Sequence, residues 1–245
     1  MRLLGIDTGG SSLKAAPVDA TTGALASDIV SFPTPSPATP TAIGSVVRQI
    51  AAAYPGVTGP IGFAFPSVVK AGVACTAANV DKSWIGTDGA RLVRDATGRP
   101  AAFLNDADAA GLAELRVGAG RGQDGTVIML TFGTGIGSAI FHDGHLLPNT
   151  EFGHMEIRGM EAEHRAAARI RTIDQLSWEE WARRVNEVLA RMHALFWPDL
   201  FILGGGVTEN WASFGPLLES PTRIVPAELG NTAGVVGAAL AAAEL

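Results

Sequence analysis

Two glycine-rich turns, each set between apolar runs, carry residues suited to holding phosphate. The first is Leu3-Leu4-Gly5-Ile6-Asp7-Thr8-Gly9-Gly10-Ser11-Ser12-Leu13-Lys14; the second is Ile128-Met129-Leu130-Thr131-Phe132-Gly133-Thr134-Gly135-Ile136-Gly137-Ser138. A turn of this kind bares successive backbone N–H groups, and the hydroxyls of Thr8, Ser11, Ser12, Thr134 and Ser138 add donors for phosphate oxygens. One such turn alone reads equally well as a hairpin whose glycines allow positive φ; two in one chain favour phosphoryl transfer. Neither matches G-x-x-x-x-G-K-[ST], and neither runs from a strand into a long helix, so P-loop and Rossmann readings are disfavoured. Asp7, at the end of an apolar strand beside such a turn, would repel phosphate unless a metal or water intervened, which favours a Mg²⁺-associated role.

Three further groups stand out. Asp106 follows Phe103-Leu104-Asn105, at the C-terminal end of a strand that opens a helix, where a carboxylate can take the proton of an attacking hydroxyl. Position alone favours the other use of such a residue, a helix N-cap supplied by Asp106 or Asp108. Asn149-Thr150-Glu151-Phe152-Gly153-His154, with Glu156 and Glu163 beyond, offers the fixed acceptors and donors that a polyhydroxylated ligand needs. A zinc site there is the weaker reading, since His154 and His164 lack an i,i+4 His partner and no thiolate cluster exists. Gly204-Gly205-Gly206 after an apolar strand would admit a nucleotide or another ligand close to the backbone, although such glycines are also common packing devices.

The elements that must position these groups alternate between strand and helix. Residues 2–7, 13–18 and 25–32 read as consecutive strands, with Asp19-Ala20-Thr21-Thr22-Gly23 as a turn and a proline-rich loop over 33–40. Ala42 to Tyr54 reads as a helix, 61–65 and 101–104 as strands. The second half repeats the scheme with strands at 126–131 and 136–142 and a tight turn at Asp143-Gly144. Trp178 to Phe196 is the clearest helix, with Trp178, Trp181, Val185, Val188, Leu189, Met192 and Leu195 at core spacing and a Ser177/Glu180 capping box. Asp199 to Leu203 reads as a strand, with a helix starting near Thr208 and another from Ala233.

Composition bounds the class. The 245 residues are 47% hydrophobic and 17% charged, without an apolar run of membrane-spanning length, which fits a globular α/β chain and excludes disorder. The opening strand leaves no room for a signal peptide, so a cytoplasmic enzyme with no membrane partner is expected. Cys75, the single cysteine, rules out an internal disulfide and reads as a small buried residue. A net charge of −6 argues against a nucleic-acid partner. The three lysines, Lys14, Lys70 and Lys82, all fall in the first third of the chain.

Taken in order, these segments resemble the ROK family of sugar kinases and regulators, within the actin-like ATPase superfamily, over nearly the whole chain. Asp7-Thr8-Gly9-Gly10-Ser11 is similar to the family's first phosphate motif, with Ser11 where threonine is usual. Asn105-Asp106-Ala107-Asp108-Ala109-Ala110 resembles its catalytic segment, Leu130 to Gly137 its second phosphate motif, and Glu151-Phe152-Gly153-His154 its sugar-binding segment. Ala77 to Thr87, Pro148 to Glu151 and Leu176 to Glu180 are similar to stretches of the polyphosphate-dependent glucokinases within the family.

The resemblance implies a two-lobed α/β actin-like ATPase (ribonuclease H-like) fold with the active site in the interlobe cleft. The small lobe would span 1–106, completed by the C-terminal helix 233–245, and the large lobe 107–232. It implies transfer of a phosphoryl group from inorganic polyphosphate, or ATP, to glucose, with Mg²⁺ near Asp7. Asp106 becomes the general base, and Asn79, Asn105, Asp106, Glu151, His154 and Glu163 become glucose contacts. Asp7, Thr8, Gly9, Gly10, Ser11, Lys14, Lys82, Thr131, Gly133, Thr134, Gly135, Gly205 and Gly206 would hold the donor, with Lys14, Lys70, Lys82 and Arg91 as a basic track for a longer polyphosphate. Relatives lead to the expectation of a homodimer.

Two departures narrow the reading. Most members carry a cysteine-rich zinc motif after the Gly-His pair, whereas Glu156-Ile157-Arg158-Gly159 leads to no cysteine, so structural zinc is not expected. The regulators carry an N-terminal DNA-binding helix-turn-helix, whereas this chain opens on the phosphate strand, so a repressor is not expected. An ATP-dependent kinase of another hexose and a sugar-binding sensor without catalysis are the alternatives.

Overall fold

The computed structural model describes residues 1–78 and 80–245, and the chain divides into two compact units, Met1–Ala113 with Thr232–Leu245, and Glu114–Asn231. The first unit opens with β1 (Arg2–Thr8), β2 (Ser12–Asp19) and β3 (Val30–Pro33), followed by α1 (Pro40–Ala53) and β4 (Ile61–Phe65). A two-residue ladder, β5 (Val69–Lys70) with β6 (Val73–Ala74), precedes α2 (Gly89–Thr97), β7 (Ala101–Asn105) and α3 (Asp106–Val117). The sheet order is β3-β2-β1-β4-β7, with β1 antiparallel to β2 and parallel to β4.

The second unit repeats that plan. β8 (Thr126–Phe132), β9 (Ile136–His142) and β10 (His145–Leu147) form a meander, and the small hairpin β11 (Glu156–Ile157) and β12 (Met160–Glu161) leads to α4 (Ala162–Ala166) and α5 (Ala168–Ile173). Then come α6 (Trp178–Phe196), β13 (Leu200–Gly204), α7 (Trp211–Phe214) and β14 (Arg223–Pro226), giving the sheet order β10-β9-β8-β13-β14. The last element, α8 (Ala233–Ala242), belongs to the first unit. No helix among the described residues is long and apolar enough to cross a membrane.

Each unit has its own core. In the first, Phe63, Phe65, Trp84 and Phe103 stack at centroid distances of 4.1–6.3 Å beneath α1 and α2. In the second, Trp181 of α6 meets Phe132 and Phe214 edge-on and donates its indole N–H to Ala166 O at 3.0 Å. The expected α6 has the expected bounds, and its capping box is formed, with Ser177 Oγ accepting from Glu180 N and Glu180 Oε2 from Ser177 N. Leu195, placed by periodicity in that core, is 52% exposed.

Four expectations are corrected. Residues 25–29 lie outside β3, which is only four residues long; Leu25 makes one isolated bridge to Val18. The helix expected near Thr208 is a 3₁₀ turn, Gly206–Asn210, followed by the single turn of α7, because Thr208 bonds back to Gly205 O through both N–H and Oγ1. Cys75 is exposed, since it follows the short β6 away from the main sheet. The N-cap of α3 is Asn105, one residue before Asp106: its Oδ1 accepts from Ala107 N at 2.8 Å and Asp108 N at 3.0 Å.

One fully buried carboxylate fastens irregular backbone. Glu114 Oε2 accepts from Ala119 N at 2.9 Å and Glu228 N at 3.1 Å, and Oε1 accepts from Leu229 N at 2.7 Å. Removing it strands three amide donors, each of which costs more than an ordinary hydrogen bond is worth. Glu114→Ala is therefore expected to lower unfolding free energy by about 3 kcal/mol. Urea denaturation of the purified variant checks it; a loss below about 1 kcal/mol would mean that water replaces the carboxylate at no cost.

Candidate active site

The two glycine turns are β1–β2 and β8–β9 connections, as the sequence implies. Their glycines are not there to permit left-handed backbone: none of Gly9, Gly10, Gly133 and Gly135 has φ in that region. A Cβ added at Gly10 or at Gly133 would meet nothing within 4 Å. With neither a torsional nor a packing demand, what glycine provides at these two positions is bare backbone open to an approaching group. Gly135 differs, because a Cβ there would lie 2.5 Å from Glu163 Oε2.

In the first unit, Asp7 is the penultimate residue of β1 with Lys14 as its cross-strand partner, and Asp106 begins α3. Burial, reinforced by the Asp106 charge and opposed by Lys14, pushes the Asp7 carboxyl up to about 6. Burial likewise raises Asp106, against the lowering effect of the bond its Oδ1 accepts from Ala107 N at 2.9 Å. Two half-buried carboxylates, of which Asp7 feels both the charge of Asp106 and that of one lysine, form a site short of positive charge. Thr8 Oγ1, on the other face of β1, is buried without a partner. Asn105 is 7% exposed, and besides capping α3 it donates Nδ2 to Ser67 O at 3.1 Å.

Of the cations expected to form a track, Lys70 and Lys82 are exposed, Lys14 is half-buried beside Asp7, and Arg91 is paired with Asp95 at 3.5 Å. Asn79 lies outside the described residues.

In the second unit the Glu151–His154 segment is pinned to β9 by Ser138. That side chain is 1% exposed; its Oγ donates to Thr150 O at 2.8 Å and accepts from Phe152 N at 3.1 Å. Ser138 is thus a fastener of the sugar-type segment and not the phosphate donor expected from its hydroxyl. Glu151 is exposed, and Gly153 packs so tightly that a Cβ would lie 2.4 Å from Ile136 O and 3.2 Å from Glu163 Oε2. Glu163 therefore sits against the second turn, close to Ile136 N at 3.4 Å, and joins Gly135 to the Gly153-His154 pair.

His154 Nδ1 lies 3.1 Å from Glu161 Oε2, and that bond raises the imidazole above its usual value. Glu161 was not singled out by sequence reasoning, although Arg158 and Gly159, at φ 54° and 77°, form the two-residue hairpin turn that carries it back to His154. His154, Glu161 and Glu163 each place a ligand atom within 4.8 Å of the others, and among the described residues this is the one such cluster. Gly205, at φ 91°, packs on the second turn, where a Cβ would lie 2.3 Å from Phe132 O, while Gly206 is open. Thr131, paired in register with Gly204, and exposed Thr134 complete this face.

Comparison with known proteins agrees with this geometry. The ROK family model matches residues 3–168. A polyphosphate glucokinase of Mycobacterium tuberculosis is 50% identical over 97% of this chain and 89% of its own length. The solved structure of an inorganic polyphosphate/ATP-glucomannokinase from Arthrobacter sp. strain KM superposes with a TM-score of 0.93 at 45% identity, covering 99% of this chain and 98% of that one. A ROK family glucokinase from Streptomyces griseus, solved with glucose and AMPPNP, matches at 26% identity and a TM-score of 0.82 over 98% of each chain. Two α/β units of one plan, two open phosphate-type turns, and this similarity along the whole length agree: the chain belongs to the ROK family and has the actin-like ATPase fold of its sugar kinases.

Proposed function

We propose that this protein transfers the terminal phosphoryl group of inorganic polyphosphate, with ATP as a second donor, to the 6-hydroxyl of glucose. The observation that carries the reading is the pair of turns whose Gly10 and Gly133 face open space with no fold-derived need for glycine. The names of the relatives supply the donor and the sugar.

Asp106 accepts the proton of the 6-hydroxyl as it attacks, and its raised affinity for protons suits that task. Asn105, Asn79, Glu151, His154 and Glu163 are assigned to the sugar hydroxyls, with His154 held in orientation by Glu161. The backbone of Gly9, Gly10, Gly133 and Gly135, the hydroxyls of Thr8, Ser11, Thr131 and Thr134, and Gly205-Gly206 are assigned to the donor phosphates. Lys14 and Lys82, with Lys70 and Arg91, are assigned to the rest of a polyphosphate chain.

Mg²⁺ fits the donor set around Asp7, an oxygen site with an excess of negative charge. When bound it supplies positive charge against the phosphoryl oxygens. A homodimer in the cytoplasm is part of the proposal.

The purified protein is expected to form glucose 6-phosphate with polyphosphate in nucleotide-free buffer containing Mg²⁺. Activity with ATP alone would remove the donor assignment and keep the sugar kinase; no turnover of glucose or mannose with either donor would overturn the reading.

A further inference from the structure

We propose that Gly234 is a positioning residue for phosphoryl transfer: the missing side chain at 234 is the space that the Asp7 carboxylate occupies. The inference rests on the role given to Asp7 above, and its observations all lie within the first unit. A Cβ built on Gly234 would stand 2.5 Å from Asp7 Oδ2, 2.6 Å from Cγ and 3.0 Å from Oδ1. All three carboxyl atoms are involved, so the group lies broadside across the first turn of α8. Non-bonded carbon contacts settle near ~3.5–4.0 Å, so an alanine and this carboxylate cannot share the site.

The backbone of Asp7 has little freedom to yield. β1 is paired on both sides, to β2 and β4, and its neighbours Ile6 and Thr8 are 0% and 2% exposed. Rotation about the Asp7 side chain is what remains, and that would turn the carboxylate away from its present direction. Nor does helix formation ask for glycine at 234. The residue lies within α8, its φ is outside the left-handed region, and glycine costs a helix interior roughly 0.5–1 kcal/mol relative to alanine.

The other close glycines of this packing differ in what they meet. Gly5 and Gly62 on the sheet and Gly237 on the helix oppose backbone atoms, Val235 O at 1.9 Å, Ala238 O at 1.7 Å and Ala109 O at 1.7 Å from the built Cβ. They set how closely α8 approaches the sheet and α3, the helix that opens with Asp106. Gly234 meets a functional side chain. Through these contacts one helix fixes the height of its own first turn and, with it, the direction of Asp7.

Gly234→Ala in the full chain tests this. Turnover of glucose per folded molecule, with the folded fraction taken from circular dichroism at the assay temperature, is expected to fall at least tenfold with the glucose KM held within twofold. Melting supplies a readout free of activity. In an Asp7→Ala background, where the carboxylate is gone, Gly234→Ala is expected to raise Tm by about 2–4 °C through helix propensity. In the wild-type background that gain is expected to vanish or reverse. If Gly234→Ala alone fails to fold, a folded Asp7→Ala/Gly234→Ala double variant supports the contact. Equal Tm shifts in the two backgrounds, an unfolded double variant, or kcat within twofold of wild type would overturn the proposal. A wild-type protein that phosphorylates no sugar would overturn the assigned activity instead, and the melting cycle would still decide whether Gly234 and Asp7 compete for one space.

Discussion

Asp106→Asn is expected to lower kcat for glucose phosphorylation by about 10³-fold while the protein still binds glucose and melts near the wild-type temperature. Asparagine keeps the shape and an oxygen for the Ala107 N–H, so the start of α3 survives the exchange. What is lost is a group able to take the hydroxyl proton. The same chemistry fixes a pH profile. Asp7 is raised from the usual carboxylate value of 3.8 to about 6, and burial raises Asp106 as well. The base must be ionised to act, so kcat/KM is expected to fall on the acid side at a pH above the range of an ordinary carboxylate. The stability contribution has the opposite sign. A carboxyl whose folded pKa is raised binds more protons in the folded state, so Asp7 favours folding below 3.8 and loses that contribution as pH rises through about 6. Initial rates from pH 5 to 8 check the profile. An acid limb no higher than the ordinary carboxylate range, or an Asp106→Asn variant within tenfold of wild type, would show that another group takes the proton.

Much of this site was legible because its signals are local. Alternating apolar runs broken by Gly9-Gly10 and Gly133-Thr134-Gly135 gave β1–β2 and β8–β9, and Ser177 with Glu180 gave the start of α6 to the residue. What escaped depends on residues far apart in the chain. Ser138 looked like a phosphate donor until Thr150 and Phe152 were seen to use its hydroxyl. Asn105 looked like a sugar ligand, and its amide also spans Ser67 and the first turn of α3. α2 was missed although Asp88 caps its start and Gly98, at φ 72°, ends it, because a helix of nine residues is short and polar on average, however clear its periodicity. The character of α8 was visible in its alanines and glycines, but not the reason for them. A run of small residues says that something comes close; only the fold says what.

That closeness sets the strongest stability prediction. A Cβ on Gly62 would lie 1.7 Å from Ala238 O, 2.1 Å from its carbonyl carbon and 2.8 Å from Ala239 N, all backbone atoms of a helix. No rotamer can relieve such a contact, so α8 would have to lift by about 1.5 Å to restore an ordinary separation. α8 is buried along nearly its whole length, and lifting it opens a gap against β1 and β4 at once. Interiors are packed too densely to absorb that, so Gly62→Ala is expected to cost more than about 5 kcal/mol, comparable to the whole stability of a domain. The expected result is a chain recovered unfolded or aggregated, without a cooperative melt. Gly10→Ala is the control: its Cβ direction is empty, so that variant is expected to melt within about 2 °C of wild type. A folded Gly62→Ala protein with a Tm near wild type would mean that α8 does not lie on β4 at this height. The same displacement would also carry Gly234 off Asp7, so the packing that holds the first unit together and the direction of the Asp7 carboxylate depend on one set of missing side chains.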